Sequence, residues 1–413
     1  MRISTRIGVA VAILVLLGGL AALGWWYQQK QVAPGQTASE LAVGVTSPDD
    51  RGPGSLREAL FVVASAPSKA VISIRVRKIA VETPLPPLVN PHGVRIIAQA
   101  PGAEIDAQAL GNAPLFDVAA SNHSLEGLVL RNCAGPAILV RTTHFHLRAS
   151  TLDSCDVGVD IAENAGDVLL ERNHFSNDRI GVRLAASIRN TVVVGNDFLN
   201  DKEAGLWAVR GEADGGPAVN VRENHFSGGR SGVVAGNIAL ALERNDFAGA
   251  EESAIHVLGA GAAVRGNHVT GGAAMGIVAE NARQAILEGN ELEHLAAYGI
   301  MVRNSVDTVV RGNRIHNCGY GIAFVLGDPR RPSTALENTI IEPQFNGIDV
   351  VGDSPILKRN QVLQPHAYAL HVTDFQPPGG QKVLSRPFLE GNNFRSDGTL
   401  VASGEVRSPA RQP

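Results

Sequence analysis

Residues 121–400 are expected to form an all-β parallel solenoid of about twelve coils, and three observations predict it. The first is a repeat. Asn173, Asn196, Asn224, Asn245, Asn267, Asn290, Asn313, Asn338 and Asn360 recur at spacings of 23, 28, 21, 22, 23, 23, 25 and 22 residues. Backwards the frame reaches Ser150 and Leu128, and forwards Asn392. The second is the pattern inside each unit. An aliphatic stands three residues before the Asn (Leu170, Val193, Val221, Leu242), and Phe175, Phe198, Phe226 or Phe247 stands two after it. Apolar residues at a step of two, broken by Gly and Asn, mean short strands. The third is composition: 45 Gly and only 5% aromatics suit many strands joined by tight turns. One such unit cannot bury its apolar face alone. Stacking at the strand spacing of ~4.8 Å closes it into a continuous column.

The elements follow in chain order. Residues 1–6 carry Arg2 and Arg6, ahead of an uncharged apolar run of 21 residues, 7–27. That run is long enough to span a bilayer as a helix, and Trp25, Trp26 and Tyr27 would sit at its outer interface. Its flanking charges keep residues 1–6 cytoplasmic and export the rest. A cleaved signal peptide is the rival reading, but its apolar core is normally shorter. Residues 28–45 read as a polar linker, 46–120 as an N-terminal cap with irregular first coils, and 401–413 as a disordered tail. Ser55 and Glu58 fit a capping box, with Leu56 and Leu60 on one side of the following turn. Residues 54–66 are therefore expected to form a cap helix over the open end of the solenoid. A net charge of −4 supplies no basic face for nucleic acid.

The coil repeats resemble those of right-handed parallel β-helix proteins of the pectate-lyase-like superfamily. The segment 47–63, "SPDDRGPGSLREALFVV", is similar to the Gly-Pro-Gly-Ser-Leu-Arg opening of many of these proteins, and 82–107 to the stretch before their first full coils. The resemblance covers roughly 47–400 and implies the right-handed fold. It leaves the activity open, because this architecture carries many chemistries. Mannuronan C5-epimerases of this superfamily carry Asp-Pro-His-Asp after Gly-Ile. Here Gly347-Ile348 is followed by Asp349-Val350-Val351-Gly352-Asp353, so only the first Asp matches. The polygalacturonase and pectate-lyase catalytic motifs are absent from the sequence.

Several repeated positions read as architecture. The Asn amides can bond along a stack of their own kind, and Asn tolerates turn conformations. Two residues earlier the outward charges nearly alternate: Glu126, Arg148, Glu171, Val194, Arg222, Glu243, Arg265, Glu288, Arg311. Opposite charges on neighbouring strands attract, and the alternation opposes register slips. One residue after the Asn stand His174, Asp197, His225, Asp246, His268, Glu291 and Arg314. That ladder suggests a metal, but a ladder spreads its ligands along a line, whereas a metal needs them to converge. No metal site is assigned. Cys133 and Cys155 are 22 residues apart and stack on adjacent coils. They are either buried thiols or, in an oxidising compartment, a disulfide.

Chemistry is sought where the repeat breaks. Inserts at 209–218, 325–334 and 372–383 all follow the second strand of their units and so emerge along one edge. The outward row of that strand reads Asp160, Arg183, Trp207, Val234, His256, Val278, Met301, Ala323, Asp349, His371. Trp207 beside Arg183 is a candidate sugar platform. Asp349 and His371, on adjacent coils, are candidate catalytic residues: a carboxylate and an imidazole can remove a proton α to a uronate carboxylate. Arg330, Arg331 and Asp374 on the flanking loops, with Tyr298 and Tyr320 on neighbouring coils, are candidate substrate contacts. No cofactor or oligomeric state is assigned. The leading expectation is a membrane-anchored, exported protein contacting a polysaccharide, as a lyase or epimerase. Its alternative is a non-catalytic envelope scaffold or binding protein, and a third reading is a metal-handling protein built on the His ladder.

Overall fold

Each coil lays down three short strands, one in each of three parallel sheets A, B and C. One coil has Val219–Arg222 in A, His225–Ser227 in B and Ser231–Gly236 in C. The computed structural model describes residues 40–185, 187–208, 219–272, 274–394, 399–401 and 405–407. Within them the sheets hold 15, 14 and 13 strands, all paired in parallel with the coil above and below. About thirteen coils result, more than the twelve expected, because stacking starts earlier in the chain than residue 121. Leu41–Val45, assigned above to the linker, is the first strand of sheet A and pairs with Ala70–Ile74. Part of the expected disordered tail is also attached: Leu389 donates its amide to Arg407 O at 2.7 Å. The apolar run 7–27 lies outside the described residues. Among those described, no helix is long and apolar enough to cross a membrane.

Alternation at a step of two sends one side chain inward and the next outward, so each sheet contributes one face to a single central column. Phe175, Phe198, Phe226 and Phe247 stack inside it with ring centroids 4.6–4.7 Å apart and planes within 5°. The rings share the strand spacing, so each coil repeats the contact of the last.

The asparagines are buried at the corner between A and B. Each Oδ1 accepts both the backbone amide and the Nδ2 of the Asn one coil below. For Asn267 these are Asn245 N and Nδ2, both at 3.0 Å. Each Nδ2 also donates to a main-chain carbonyl, Leu242 O at 2.9 Å for Asn267. The frame runs back as expected: Ser150 N donates to Asn173 Oδ1 at 3.0 Å, and Leu128 N to Ser150 Oγ at 3.3 Å. The left-handed conformation, however, belongs to the preceding residue. Arg172, Gly195, Glu223, Arg244, Gly266, Gly289 and Gly312 all have φ between 52° and 63°. The Asn is there for its amide, and its neighbour makes the turn.

Outside, the sheet-A charges pair as expected. Arg265 reaches Glu243 at 3.8 Å and Glu288 at 3.3 Å, and Lys358 reaches Glu390 at 2.7 Å. In sheet B, His268 lies 3.6 Å from Asp246 and Arg314 3.6 Å from Glu291. Among the described residues no group of three His, Cys, Asp or Glu can hold a metal. Cys133, Cys155 and Cys318 are buried free thiols. The cap helix α1 spans Leu56–Ala64. Ser55 Oγ accepts the Glu58 amide at 3.2 Å, and Glu58 Oε2 accepts the Gly54 amide at 2.5 Å. Leu56, Ala59, Leu60 and Val63 are buried over the end of the column.

Candidate functional site

Asp349 owes its position to the start of its strand. A Cβ on Gly347 would meet Val362 Cγ1 at 2.4 Å and Ala369 O at 2.8 Å. At this coil a glycine lets the chain pack this tightly against Val362 of sheet B. Strand Ile348–Val351 follows, with Ile348 and Val350 fully buried in the column and Asp349 on the opposite face. Asp349 is in register with His371 on the next coil.

The two side chains meet. His371 Nδ1 lies 2.8 Å from Asp349 Oδ1. The same Oδ1 accepts Asn346 Nδ2 at 3.1 Å, and Asn346 Oδ1 accepts the Tyr368 amide at 3.3 Å. Asp349 is 7% exposed. Burial pushes its carboxyl above the usual range, and the hydrogen bond and charge of His371 pull it back. A carboxylate accepting from Nδ1–H fixes the imidazole tautomer and leaves Nε2 as the basic nitrogen.

An aromatic ridge runs beside this pair. Tyr298 stacks on Tyr320 at 4.8 Å, and Tyr320 on Phe345 at 5.0 Å. Tyr368 continues the ridge with its ring 6.4 Å from that of His371. Phe345 is 50% exposed, uncommon for a large apolar side chain. The ridge is close enough that the Asp349 charge, after burial, raises the Tyr298 phenol above its ordinary value. Thus Asp349, His371, Tyr298 and Tyr320 lie together on the sheet-C surface. Asn346, Phe345 and Tyr368 complete it. Their signal was available in the sequence as aromatic or amide side chains one or two residues before the strand-opening glycine or alanine, continuing the series of Tyr298 and Tyr320, where earlier coils carry Val157, Ile180, Ala204, Ser231, Ser253 and Met275.

The remaining candidates lie elsewhere. Trp207 is six coils away along the outward row of sheet C. Beside it, Arg183 is committed to a two-pronged pair with Asp160, at 2.9 and 2.5 Å. Asp374 binds Lys382 Nζ at 2.7 Å and the Ser385 amide at 2.7 Å, so it ties the base of its own loop. Arg331 pairs with Asp307, Nε to Oδ2 at 2.9 Å. Arg330 is exposed, and its amide donates to Asp328 Oδ1 at 2.9 Å. Among the described residues, neither Arg330 nor Arg331 is ion-paired with Asp349, whose ion pair is with His371. The reason is directional. Inserts leaving the end of a sheet-C strand turn toward sheet A, where they wall a separate cleft of about 550 Å³ with Pro329, Pro332, Lys382, Leu384, Arg386 and Phe388. The insert at 209–218 lies outside the described residues.

Residues 208–362 match the family described as the right handed beta helix region. The matched stretch spans the middle coils of a parallel β-helix that continues on both sides of it among the described residues. Solved β-helix structures share its architecture over most of their length. One is the catalytic unit of a thermostable alpha-1,3-glucanase from Streptomyces thermodiastaticus, at 14% identity and TM-score 0.52, covering 88% of this chain and 70% of that one. Another is a mannuronic acid specific polysaccharide family 6 lyase from human gut microbiota, at 11% identity and TM-score 0.50, covering 85% and 86%. At these identities the likeness is one of fold. No curated protein matches the sequence.

Proposed function

We propose that this β-helix protein binds a polysaccharide along sheet C and acts on it at His371. The observation that carries this reading is the aromatic ridge lying against the Asp349–His371 pair. Pyranose rings present an apolar C–H face to an aromatic ring, while their hydroxyls reach polar neighbours. Two proteins of the same fold are named as a glucanase and a mannuronate lyase, which agrees with a carbohydrate ligand. His371, held through Nδ1, offers Nε2 as the base that takes a ring proton, and Asp349 is its positioning residue. That is lyase or epimerase chemistry. The length and flanking charges of the apolar run 7–27 support a membrane tether with this activity outside the cytoplasm.

One observation favours a second reading, a non-catalytic glycan-binding protein. Removing a proton α to a uronate carboxylate needs that carboxylate neutralised. Among the described residues, neither Arg330, Arg331 nor Lys382 is bonded to this pair. One experiment separates the two readings. Binding and turnover of mannuronate and neutral oligosaccharides are measured for the wild type, His371→Ala, and Tyr320→Ala with Phe345→Ala. The proposal expects the ridge variant to bind roughly tenfold more weakly or worse, from the loss of ~1–2 kcal/mol of stacking. It expects His371→Ala to bind normally and lose roughly 10²–10⁴ in rate, the range for a general base. Binding without turnover in the wild type would establish the second reading, and a ridge variant that binds normally would remove both.

A further inference from the structure

We infer that the cleft around Trp207 is a second carbohydrate site, separate from the Asp349 surface and suited to a neutral sugar ring. It rests on the reading that sheet C faces a glycan, but it uses different residues. The cleft measures about 280 Å³ and is lined by Glu203, Trp207, Arg230, Val234, Glu252 and His256. Trp207 stands half-buried on its outward row, with Val234 and then His256 on the two coils above. The site thus has the same parts as the first: an aromatic face beside an imidazole–carboxylate pair. Here the pair is His256 Nε2 and Glu280 Oε2, at 3.2 Å.

Two features separate the sites. The first is distance. Six coil steps from Trp207 to Asp349 amount to about 29 Å at the strand spacing. Between His256 and Asp349 the outward row is Val278, Met301 and Ala323, which offers a hydroxyl-bearing ligand no polar partner. The second is charge. Each carboxylate of the cleft already has a cation. Glu203 meets Arg179 at 2.7 Å, Glu252 meets Arg230 at 2.5 Å, and Glu280 meets Arg303 at 3.5 Å. A sugar carboxylate entering the cleft would meet like-charge repulsion from Glu203, Glu252 and Glu280. A neutral ring would not: its hydroxyls can donate to lone pairs the carboxylates keep, while its apolar face lies on the indole.

Trp207 also supplies its own reporter. The chain has three tryptophans, and the other two, Trp25 and Trp26, precede the described residues. In full-length protein carrying Trp25→Phe and Trp26→Phe, indole fluorescence reads this cleft alone. The probes are maltohexaose, cellohexaose, laminarihexaose and a mannuronate hexamer. The inference expects a saturable change with at least one neutral hexamer, weakened tenfold or more by His256→Ala and unchanged by His371→Ala. It is overturned if no probe changes the signal, if the mannuronate hexamer binds tightest, or if His371→Ala abolishes the change and so makes the face one continuous site. Loss of function at the ridge, read separately as turnover or binding in the Tyr320→Ala and Phe345→Ala protein, would leave this signal in place.

Discussion

Asp178 and Asp201 are the two residues whose chemistry is furthest from what their type suggests. They stand at the corner after sheet B, on adjacent coils, with side chains sunk into the column. Asp178 Oδ1 accepts the Cys155 amide at 2.7 Å, and Asp201 Oδ1 accepts the Asp178 amide at 3.1 Å. This copies the asparagine ladder, but the second oxygen of each has no hydrogen-bond partner among the described residues. Burial pushes the carboxyls up to about 8 and about 9, and the Asp178 charge adds to the rise at Asp201. Both are therefore protonated at neutral pH. A raised carboxyl means the folded chain holds a proton that the unfolded chain has released. Stability is then fully present near pH 4 and drains away as pH rises through 8 to 9. Asp201→Asn keeps the accepting oxygen and cannot ionise. It should match the wild type near pH 4 and exceed it by a margin that grows to several kcal/mol at pH 9, at ~1.4 kcal/mol per pH unit between the unfolded value of 3.8 and the folded value of about 9. Urea unfolding across that range measures it. A difference that does not grow with pH would mean that these carboxylates are already charged.

At the scale of the element, the corner between sheets A and B divides one task between two neighbours. The left-handed turn falls to a residue that is glycine in some coils and Arg or Glu in others. The amide ladder falls always to Asn once the ladder is established. Non-glycine residues tolerate this φ at a cost of ~1 kcal/mol or more. An amide's two functions have no such substitute. Asn267→Ala would strip the Asn245 amide and side chain of their acceptor and the Leu242 carbonyl of its donor, all in a buried corner. A cost of roughly 2–4 kcal/mol is expected, since each orphaned buried group costs about 1–3. Asn267→Asp, which keeps only the acceptor, should recover part of it. A loss below about 0.5 kcal/mol, the level of an exposed substitution, would show that the ladder contributes only register.

The whole molecule is a rod whose ends are its weak points, because every sheet there stops with unpaired backbone. At the N-terminal end α1 solves this with Leu56, Ala59, Leu60 and Val63 pressed on the column, and it leaves Phe61 63% exposed on its outer side. Leu60→Asp would put a charge where its side chain is 1% exposed and so lift the helix. The expected outcome is a lower melting temperature together with concentration-dependent association, read by light scattering on a sizing column. A variant that melts early yet remains monomeric at high concentration would assign α1 a packing role without a protective one. The rod also sets the separation of the two surfaces: it holds the ridge and the Trp207 cleft on one face at a spacing that no single strand or loop could fix.

Most of this architecture was legible in the sequence because a solenoid repeats its contacts at a fixed period. The asparagines, the inward Phe175 to Phe247 series, the alternating sheet-A charges and the cap helix all follow from spacing and local preference. The pairing of Asp349 with His371 was legible too, since one coil of separation puts outward residues side by side. Positions where the period breaks were not. The inserts at 325–334 and 372–383 share an edge with Asp349 by chain order, yet Arg331 turned to Asp307 and Asp374 to Lys382. A loop's direction depends on which partners it meets in space, and no period encodes that. The same holds for Asn346, Phe345 and Tyr368, whose companionship with the pair appears only once four coils are stacked. By itself the sequence determined the coil, its register and its outward row, because those are set by contacts repeated every 22 or 23 residues. Only the tertiary structure decided which outward residues share a surface and which are already spent on each other, because those contacts occur once.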